Sequence, residues 1–277
     1  MTRWRIDLAY DGTDFAGWAA QPGQRTVQGV LEEWLGRLLG AAETLPKLTV
    51  AGRTDAGVHA QGQVAHLDVP EGARLPPKEV ARRLGQVLPS DIVVKAVSEA
   101  PVGFDARFAA IWRRYSYRIW DAVSRPDPLL RRTVTQFPEP LDIDAMNQAA
   151  MQLLGLRDFA AFCKHREGAT TIRELRVFSI VRADDACRTI EATLVADAFC
   201  HSMVRSLLGA VTQVGFGRRD LDWICQVRDA TSRASSVPVL PPHGLTLAEV
   251  GYPSDADLTA RVGAARNVRT LNCCEEA

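Results

Sequence analysis

The residues whose types and spacing best suit chemistry lie in one short segment, Gly52-Arg53-Thr54-Asp55-Ala56-Gly57. Glycines on both sides of Asp55 permit unusual backbone angles and let a ligand approach the chain closely. Arg53 and Asp55 are two positions apart, so in an extended segment their side chains would project to the same side. A nearby arginine favours the ionised form of a carboxylate, and an ionised carboxylate in a crevice can act as a nucleophile.

A structural role explains the same segment equally well. Aspartate often hydrogen-bonds to the backbone of its own turn, and glycine suits turns because of its backbone freedom. A phosphate-binding loop is excluded because the pattern G-x-x-x-x-G-K-[ST] is absent. A retaining glycosidase, which needs two carboxyl groups roughly 5–5.5 Å apart, is disfavoured because only Asp55 lies in a motif of this kind. Residue types alone therefore leave open whether Asp55 is a nucleophile or a turn residue.

Hydrophobic periodicity predicts the elements that must position this segment. Residues 3–10 alternate between apolar and polar, which indicates a half-buried strand, and Thr26 is the expected N-cap of a helix with one apolar face. The other elements predicted in the first hundred residues are a strand over 48–51, a strand over 63–69, a helix that opens at Pro76-Pro77 and a strand over 92–97. The order is β-α-β-β-α-β, and the segment with Asp55 follows the end of a strand.

The second half repeats this mixture of strands and helices. The predicted elements are a strand over 111–120, a helix from Asp142 to Gly155, strands over 175–181 and 189–195, helices over 200–214 and after Asp220, and a strand over 245–250. These elements indicate an α+β protein with two halves. We expect an N-terminal half over 1–104, a C-terminal half over 105–251 and a flexible tail over 252–277.

Charge and cysteine content restrict the function classes only weakly. The 277 residues contain 33 basic and 33 acidic side chains, so the net charge does not indicate a polyanionic partner. Clustering is more informative, because arginines and aromatic residues interleave over 112–132, either as an RNA-binding surface or as a strand with a solvated basic face.

The six cysteines form no C-x-x-C pair, which predicts reduced thiols. The absence of an apolar stretch of about 20 residues and of a signal peptide leads us to expect a cytoplasmic protein without membrane contact.

Longer stretches of sequence support the catalytic interpretation of Asp55. Gly52-Arg53-Thr54-Asp55-Ala56-Gly57-Val58-His59-Ala60 resembles the active-site motif of the tRNA pseudouridine synthase A family. Other blocks resemble that family in the same order: Tyr10-Asp11-Gly12, Gly17-Trp18, Thr26-Val27-Gln28, Phe104-Asp105-Ala106-Arg107-Phe108, Arg114-Tyr115-Ser116-Tyr117, Asp158-Phe159, Thr171-Ile172-Arg173, Phe199 to Arg205 and Pro242 to Leu247. The resemblance extends from about Arg3 to Val250. Ala19-Ala20 departs from the polar or basic pair usual in the family.

The resemblance implies a role for each of a few residues. Asp55 corresponds to the essential carboxylate, Tyr115 to the active-site tyrosine and Arg205 to the helix arginine that pairs with the carboxylate. Tyr117, on the same face of the strand as Tyr115, is the rival candidate. Arg53 would help to eject the target base from its stem, and Leu245 is expected with Arg53 and Tyr115 among the substrate-binding residues. His59 is expected to be structural.

The same resemblance implies an isomerase with two ferredoxin- or RRM-like halves, a mixed, mainly antiparallel sheet and a central RNA-binding cleft. Its substrate would be uridine at positions 38, 39 and 40 of the tRNA anticodon stem-loop, and it would act as a homodimer without a cofactor or metal. Two alternatives are a non-catalytic RNA-binding protein on the same fold and a related synthase with another RNA target.

Overall fold

The computed structural model describes residues 1–40, 47–70, 73–164, 168 and 170–265. The described chain divides into two compact units, one formed by Met1–Ile111 with residues 246–265, the other by Trp112–Leu245. Each unit is α+β with a mainly antiparallel sheet, in agreement with the predicted fold class. None of the helices in these described ranges is both long enough and apolar enough to cross a membrane.

The first unit follows the predicted order of elements. Its elements up to residue 99 are β1 (Thr2–Tyr10), α1 (Val27–Leu39), β2 (Thr49–Val50), β3 (His59–Val69), α2 (Pro77–Val87) and β4 (Ile92–Glu99). β1 is the central strand and pairs antiparallel with β3 and with β4, while the short β2 pairs with β3. Alternation along β1 buries Trp4, Ile6, Leu8 and Tyr10, as the sequence predicted.

The start of α1 holds the loop that follows β1. The side chain of Thr26 caps the helix by accepting a hydrogen bond from the backbone N–H of Gly29, at 3.2 Å. The first helical N–H groups have no partner within a helix, and here those of Val27 and Gln28 donate to the carbonyls of Gly17 and Trp18. The helix terminus thereby fixes the backbone of residues 17 and 18.

The second unit contains a four-stranded antiparallel sheet with helices packed against it. Its elements are β5 (Trp112–Trp120), β6 (Thr135–Gln136), α3 (Ile143–Met151), β7 (Gly155–Asp158), β8 (Ile172–Arg182), β9 (Ile190–Ala196), α4 (Met203–Gly215) and α5 (Leu221–Arg228). The strand order is β5-β9-β8-β7, and β6 lies parallel to β5. Asp142 and Asp220 cap α3 and α5 through their side chains, and Asp142 was the predicted cap.

Several boundaries differ from the prediction. α3 ends at Met151, and Gly155, expected to stop this helix, instead begins the unpredicted strand β7 with a φ of 99°. The last strand, β10 (Leu245–Gly251), pairs parallel with β3 of the first unit, so it does not belong to the second half as expected. Within the expected tail, a helix, α6, spans Leu258–Ala265, and residues 266–277 lie outside the described residues.

The cysteines also differ from the prediction. Cys163 and Cys200 form a disulfide, with Cα atoms 5.7 Å apart, whereas the sequence predicted reduced thiols. Among the residues that the structure describes, Cys187 and Cys225 are free thiols. Cys273 and Cys274 lie outside the described residues. The disulfide connects the segment after β7 to the residues that precede α4.

Helix α4 packs very closely against the chain segment 238–241. A Cβ atom added at Gly209 would lie 1.8 Å from the carbonyl oxygen of Pro238, so only glycine permits this approach. A Gly209→Ala variant should lose roughly 1–3 kcal/mol of unfolding free energy because the backbone must move to accommodate the methyl group. Urea denaturation would measure the loss.

Gly85 of α2 provides the matched control, since it is also helical but has no atom within 4 Å of an added Cβ. A Gly85→Ala variant should be as stable as the wild type or gain up to about 1 kcal/mol from helix propensity. Equal effects of the two substitutions would contradict the close packing of α4 on Pro238.

Candidate active site

The segment with Asp55 is an irregular loop between β2 and β3. Along this loop Arg53 is exposed, Thr54 is buried and Asp55 is half-buried. Arg53 and Asp55 are thus both at least partly accessible to solvent, whereas Thr54 between them is in the core. An exposed arginine and a partly accessible aspartate therefore lie two positions apart in the chain, and the buried residue between them anchors the loop to the core.

Backbone hydrogen bonds hold this loop from both sides. The N–H of Trp18 donates to the carbonyl of Thr54 at 3.1 Å, and the N–H of Gly57 donates to the carbonyl of Phe15 at 3.2 Å. On the β3 side the N–H of Ala51 donates to the carbonyl of Val64 at 2.8 Å. The loop around Asp55 is therefore attached at residues 51, 54 and 57, which flank the carboxylate.

Side chains from the core add a second set of contacts. The hydroxyl groups of Tyr10 and Thr54 lie 2.8 Å apart, and the amide nitrogen of Gln63 contacts both Tyr10 Oη, at 3.1 Å, and the carbonyl of Gly52, at 2.9 Å. All three side chains are buried. Burial raises the pKa of Tyr10 to about 12, against the opposing effect of its hydrogen bonds with Thr54 and Gln63, so its hydroxyl stays protonated at neutral pH.

The corner Asp11-Gly12 after β1 packs against the start of β3. The N–H of Gly12 donates to Nδ1 of His59 at 3.0 Å, and His59 is buried, as expected of a structural residue. A Cβ added at Gly12 would lie 2.0 Å from the carbonyl oxygen of Val58. The motif Tyr10-Asp11-Gly12 thus permits close contact between this corner and the end of the Asp55 loop.

The two tyrosines of β5 occupy different environments in the second unit. Tyr115 packs edge-on against the ring of Phe199, with the ring centroids 5.1 Å apart. Tyr117 is fully buried, and its hydroxyl donates to the carbonyl of Pro241 at 2.9 Å. Because the single hydroxyl hydrogen is used there, Thr135 Oγ1, at 2.7 Å, must be the donor to Tyr117.

Arg205 lies on α4, half-buried, in the same unit. Its guanidinium donates to the carbonyl of Leu240 at 3.3 Å and to Ser202 Oγ at 3.4 Å, while the N–H of Leu240 donates back to the carbonyl of Arg205 at 3.1 Å. Burial raises the pKa of Tyr117, while the hydrogen bond from Thr135 and the charge of Arg205 act in the opposite direction. Arg205 and Tyr117 are therefore within electrostatic reach of each other.

The predicted site residues fall into two groups. Arg53 and Asp55 lie in one loop of the first unit, whereas Tyr115, Arg205 and the buried Leu245 belong to the second. Leu245 directly follows a single helical turn, Pro242–Gly244, and a Cβ at Gly244 would lie 2.7 Å from the ring of Tyr117. In the described ranges no cluster of three or more histidine, cysteine or acidic side chains has the arrangement of a metal site.

The basic and aromatic residues of β5 do not share one surface. Arg113 is buried on the same face as Tyr115 and Tyr117 and donates to the carbonyl of Asp197 at 2.6 Å. Arg114, on the opposite face, is exposed and lies over the ring of Trp112. The exposed arginines 125, 131 and 132 are in the loop after β5. Only part of the basic cluster is therefore available to a polyanion.

Sequence reasoning missed the residues that support the site. Gln63 occupies the register of Ala65, Leu67 and Val69 on β3, and a glutamine at such an apolar register is a signal of a buried hydrogen-bonding role. Phe199 belongs to a block that resembles the family, but nothing in the sequence indicated its contact with Tyr115, and Leu240 gave no signal because an apolar residue there indicates only core packing.

A substitution at Gly17 tests whether the Asp55 loop depends on its close contact with the loop after β1. It has a φ of 102°, and an added Cβ would lie 3.0 Å from the carbonyl oxygen of Thr54 and 3.2 Å from the nitrogen of Ala56. A Gly17→Ala variant combines backbone strain with displacement of the Asp55 loop. We expect a loss of roughly 1–3 kcal/mol in unfolding free energy and a clear loss of any activity that uses Asp55.

Gly23 is the matched control because it also has a positive φ, 70°, but no atom within 4 Å of an added Cβ. Gly23→Ala should show the cost of backbone strain alone and keep full activity. If both variants lose activity to the same extent, contact between Gly17 and the Asp55 loop is not the cause.

Comparison with known proteins identifies the family. Residues 8–109 and 149–253 match the family described as tRNA pseudouridine synthase. Proteins named tRNA pseudouridine synthase A are 60% identical in Cutibacterium acnes (98% of this chain, 96% of that protein), 56% in Streptomyces avermitilis (99% and 97%) and 47% in Mycobacterium leprae (97% and 96%). The solved archaeal box H/ACA Nop10–Cbf5 complex aligns at 12% identity with a TM-score of 0.32, over 76% of this chain and 44% of that chain, which is too low to support an argument. The high identity over almost the whole length shows that this chain belongs to the tRNA pseudouridine synthase family.

Proposed function

We propose that this protein isomerises uridine to pseudouridine in tRNA, at positions 38, 39 and 40 of the anticodon stem-loop. Membership of the tRNA pseudouridine synthase family supports the reaction class. The observation that carries the catalytic assignment is the half-buried Asp55 in a firmly attached loop, beside an exposed arginine. The choice of target positions follows from the family resemblance.

Asp55 is the nucleophile in this proposal. Its carboxylate attacks the sugar or the base of the target uridine, and the bond between N1 of uracil and C1′ of the ribose breaks. The uracil rotates, C5 forms the new bond to C1′, the bond between Asp55 and the substrate breaks to release the carboxylate, and the proton on C5 leaves while N1 gains one. Substrate and product have the same atoms and the same oxidation state, so the overall reaction balances without a redox partner or hydrolytic water.

Tyr115 acts on the substrate, and Arg205 acts on the carboxylate of Asp55. The Tyr115 ring stacks on the flipped base, and its hydroxyl assists removal of the C5 proton. Tyr117 is less suited to this role because its hydroxyl is already engaged by Pro241 and Thr135 and its pKa is raised by burial. Arg205 orients the Asp55 carboxylate by a charge-assisted hydrogen bond.

Arg53 and Leu245 contribute to substrate binding. A uridine in a helical stem must leave the base stack at a cost of a few kcal/mol, and the exposed guanidinium of Arg53 can occupy the vacated space. Leu245 contacts the substrate near its base. Exposed arginines after β5 add attraction to the phosphate backbone of tRNA. The protein works in the cytoplasm, where tRNA is available.

An Asp55→Asn variant tests the catalytic assignment. It retains the shape of the side chain but lacks the negative charge, so we expect an unchanged thermal midpoint and a fall of about 10³-fold or more in turnover. Tritium release from tRNA labelled at uridine C5 measures the reaction directly. The control is Asp222→Asn, since Asp222 is an exposed aspartate in the first turn of α5.

The same assay separates the alternatives. Undiminished release by Asp55→Asn would reject Asp55 as the nucleophile. Salt-sensitive tRNA binding without any release by the wild type would indicate a non-catalytic RNA-binding protein. Release from another region of tRNA would indicate a synthase with a different target.

We also propose that the protein is a homodimer. β7 is the outer strand of its sheet, and exposed apolar side chains lie on it and on the adjacent β8 at Leu156, Val177 and Val181. Light scattering should give twice the chain mass of 30.3 kDa. Val181→Glu should weaken the dimer, whereas Val93→Glu, at an equally exposed valine of β4, should not. A monomeric wild type would contradict this proposal.

A further inference from the structure

Gln63 is a polar side chain in the core of the first unit, with no accessible surface. Its amide nitrogen faces the carbonyl of Gly52, which can only accept a hydrogen bond, and its amide oxygen accepts from the N–H of Val64 at 3.2 Å. The orientation of the amide group is thereby determined. The second N–H of the Gln63 amide is then directed at Tyr10 Oη.

The next hydrogen bond joins Tyr10 to Thr54. Tyr10 Oη accepts from Gln63 and is hydrogen-bonded to Thr54 Oγ1, 2.8 Å away, where either hydroxyl can be the donor. The raised pKa of Tyr10 keeps its hydroxyl protonated at the pH of a normal assay. The chain of bonds thus connects Gln63 through Tyr10 to Thr54, the residue before Asp55.

The chain of bonds also holds the backbone on both sides of Arg53. Gln63 binds the carbonyl of Gly52, while Tyr10 binds the side chain of Thr54, whose own carbonyl accepts from Trp18. Rotation of the backbone at Arg53 or Thr54 would break at least one of these bonds. An unmade hydrogen bond in the core has a high free-energy cost, so such rotations are strongly disfavoured.

We propose that Gln63, Tyr10 and Thr54 are positioning residues that fix the direction of the Asp55 carboxylate. The inference rests on the proposed function of Asp55. Stability alone does not require this network, because replacing both partners of a buried hydrogen bond by apolar side chains of similar shape is often nearly neutral. The polar side chains therefore contribute a defined geometry of the loop, which apolar packing does not supply.

The paired substitution Tyr10→Phe/Thr54→Val tests this proposal. Both partners of the Tyr10–Thr54 hydrogen bond are replaced together by side chains of similar shape, while Gln63 keeps its bond to the carbonyl of Gly52 and loses only its Tyr10 acceptor, so we expect a lower thermal midpoint with the fold retained. We expect kcat for tritium release to fall about 10- to 100-fold, with KM and the tRNA dissociation constant unchanged, because the carboxylate is misdirected while binding is intact. Thr54→Ser keeps the hydroxyl and should retain near-wild-type kcat, whereas Thr54→Val should not.

Thr189→Val is the matched control for loss of a buried threonine hydroxyl. Thr189 Oγ1 accepts from Trp120 Nε1 at 3.2 Å in the second unit, and its loss should lower the thermal midpoint without changing kcat. All variants are assayed well below their thermal midpoints.

The outcomes distinguish this inference from the proposed function. Unchanged kcat in Tyr10→Phe/Thr54→Val, with an active wild type, would overturn the positioning role alone. A rise in KM with unchanged kcat would also overturn it, since that result indicates a binding defect. Absence of tritium release by the wild type would overturn the proposed function and this inference with it.

Discussion

Hydrogen bonds between three irregular segments keep Asp55 in place: the loop after β1, the N-terminus of α1 and the loop before β3. The helix N-terminus binds the carbonyls of Gly17 and Trp18, and the N–H of Trp18 binds the carbonyl of Thr54. Each bond contributes only about 1 kcal/mol net, but leaving a buried partner unsatisfied costs roughly 1–3 kcal/mol. The bonds therefore form together, and a loop without regular secondary structure acquires a single conformation.

In the second unit, too, buried hydrogen bonds hold an irregular segment in one conformation. In each unit an acceptor-only carbonyl takes part in these bonds: Gly52 accepts from Gln63, which also contacts Tyr10, and Pro241 accepts from Tyr117. Each tyrosine hydroxyl is also hydrogen-bonded to a threonine, Thr54 for Tyr10 and Thr135 for Tyr117. In the first unit the bonds support the residue beside Asp55, and in the second they support the segment that binds Arg205.

Local signals in the sequence predicted the elements that depend on neighbouring residues. The alternation of β1, the cap at Thr26 and the cap at Asp142 all agree with the structure, since each depends on residues a few positions apart. The pairing of β10 with β3 was not predicted, because pairing between strands almost two hundred residues apart leaves no local pattern. The disulfide of Cys163 with Cys200 was missed for the same reason.

The same limit applies to the candidate site: contiguous residues were found from the sequence, whereas contacts between distant residues were not. The Asp55 motif was found from the sequence because its residues are contiguous, and resemblance added Tyr115 and Arg205. Gln63 and Tyr10 were assigned to strands, and only the structure brings them together, since they are far apart along the chain but lie near each other on antiparallel β1 and β3. A buried polar residue is thus detectable from strand register, but its partner is not.

One short segment sets the positions of the two proposed site residues in the second unit. Phe199 contacts the ring of Tyr115, and the next residue, Cys200, is held by the disulfide with Cys163. Ser202 then adopts a left-handed conformation, with a φ of 65°, and the helix that carries Arg205 begins immediately afterwards. A left-handed backbone is unfavourable for serine, so the surrounding contacts must hold it. Because the contact of Phe199 with Tyr115 and the start of the Arg205 helix are only a few residues apart, a displacement of this segment would move both groups together.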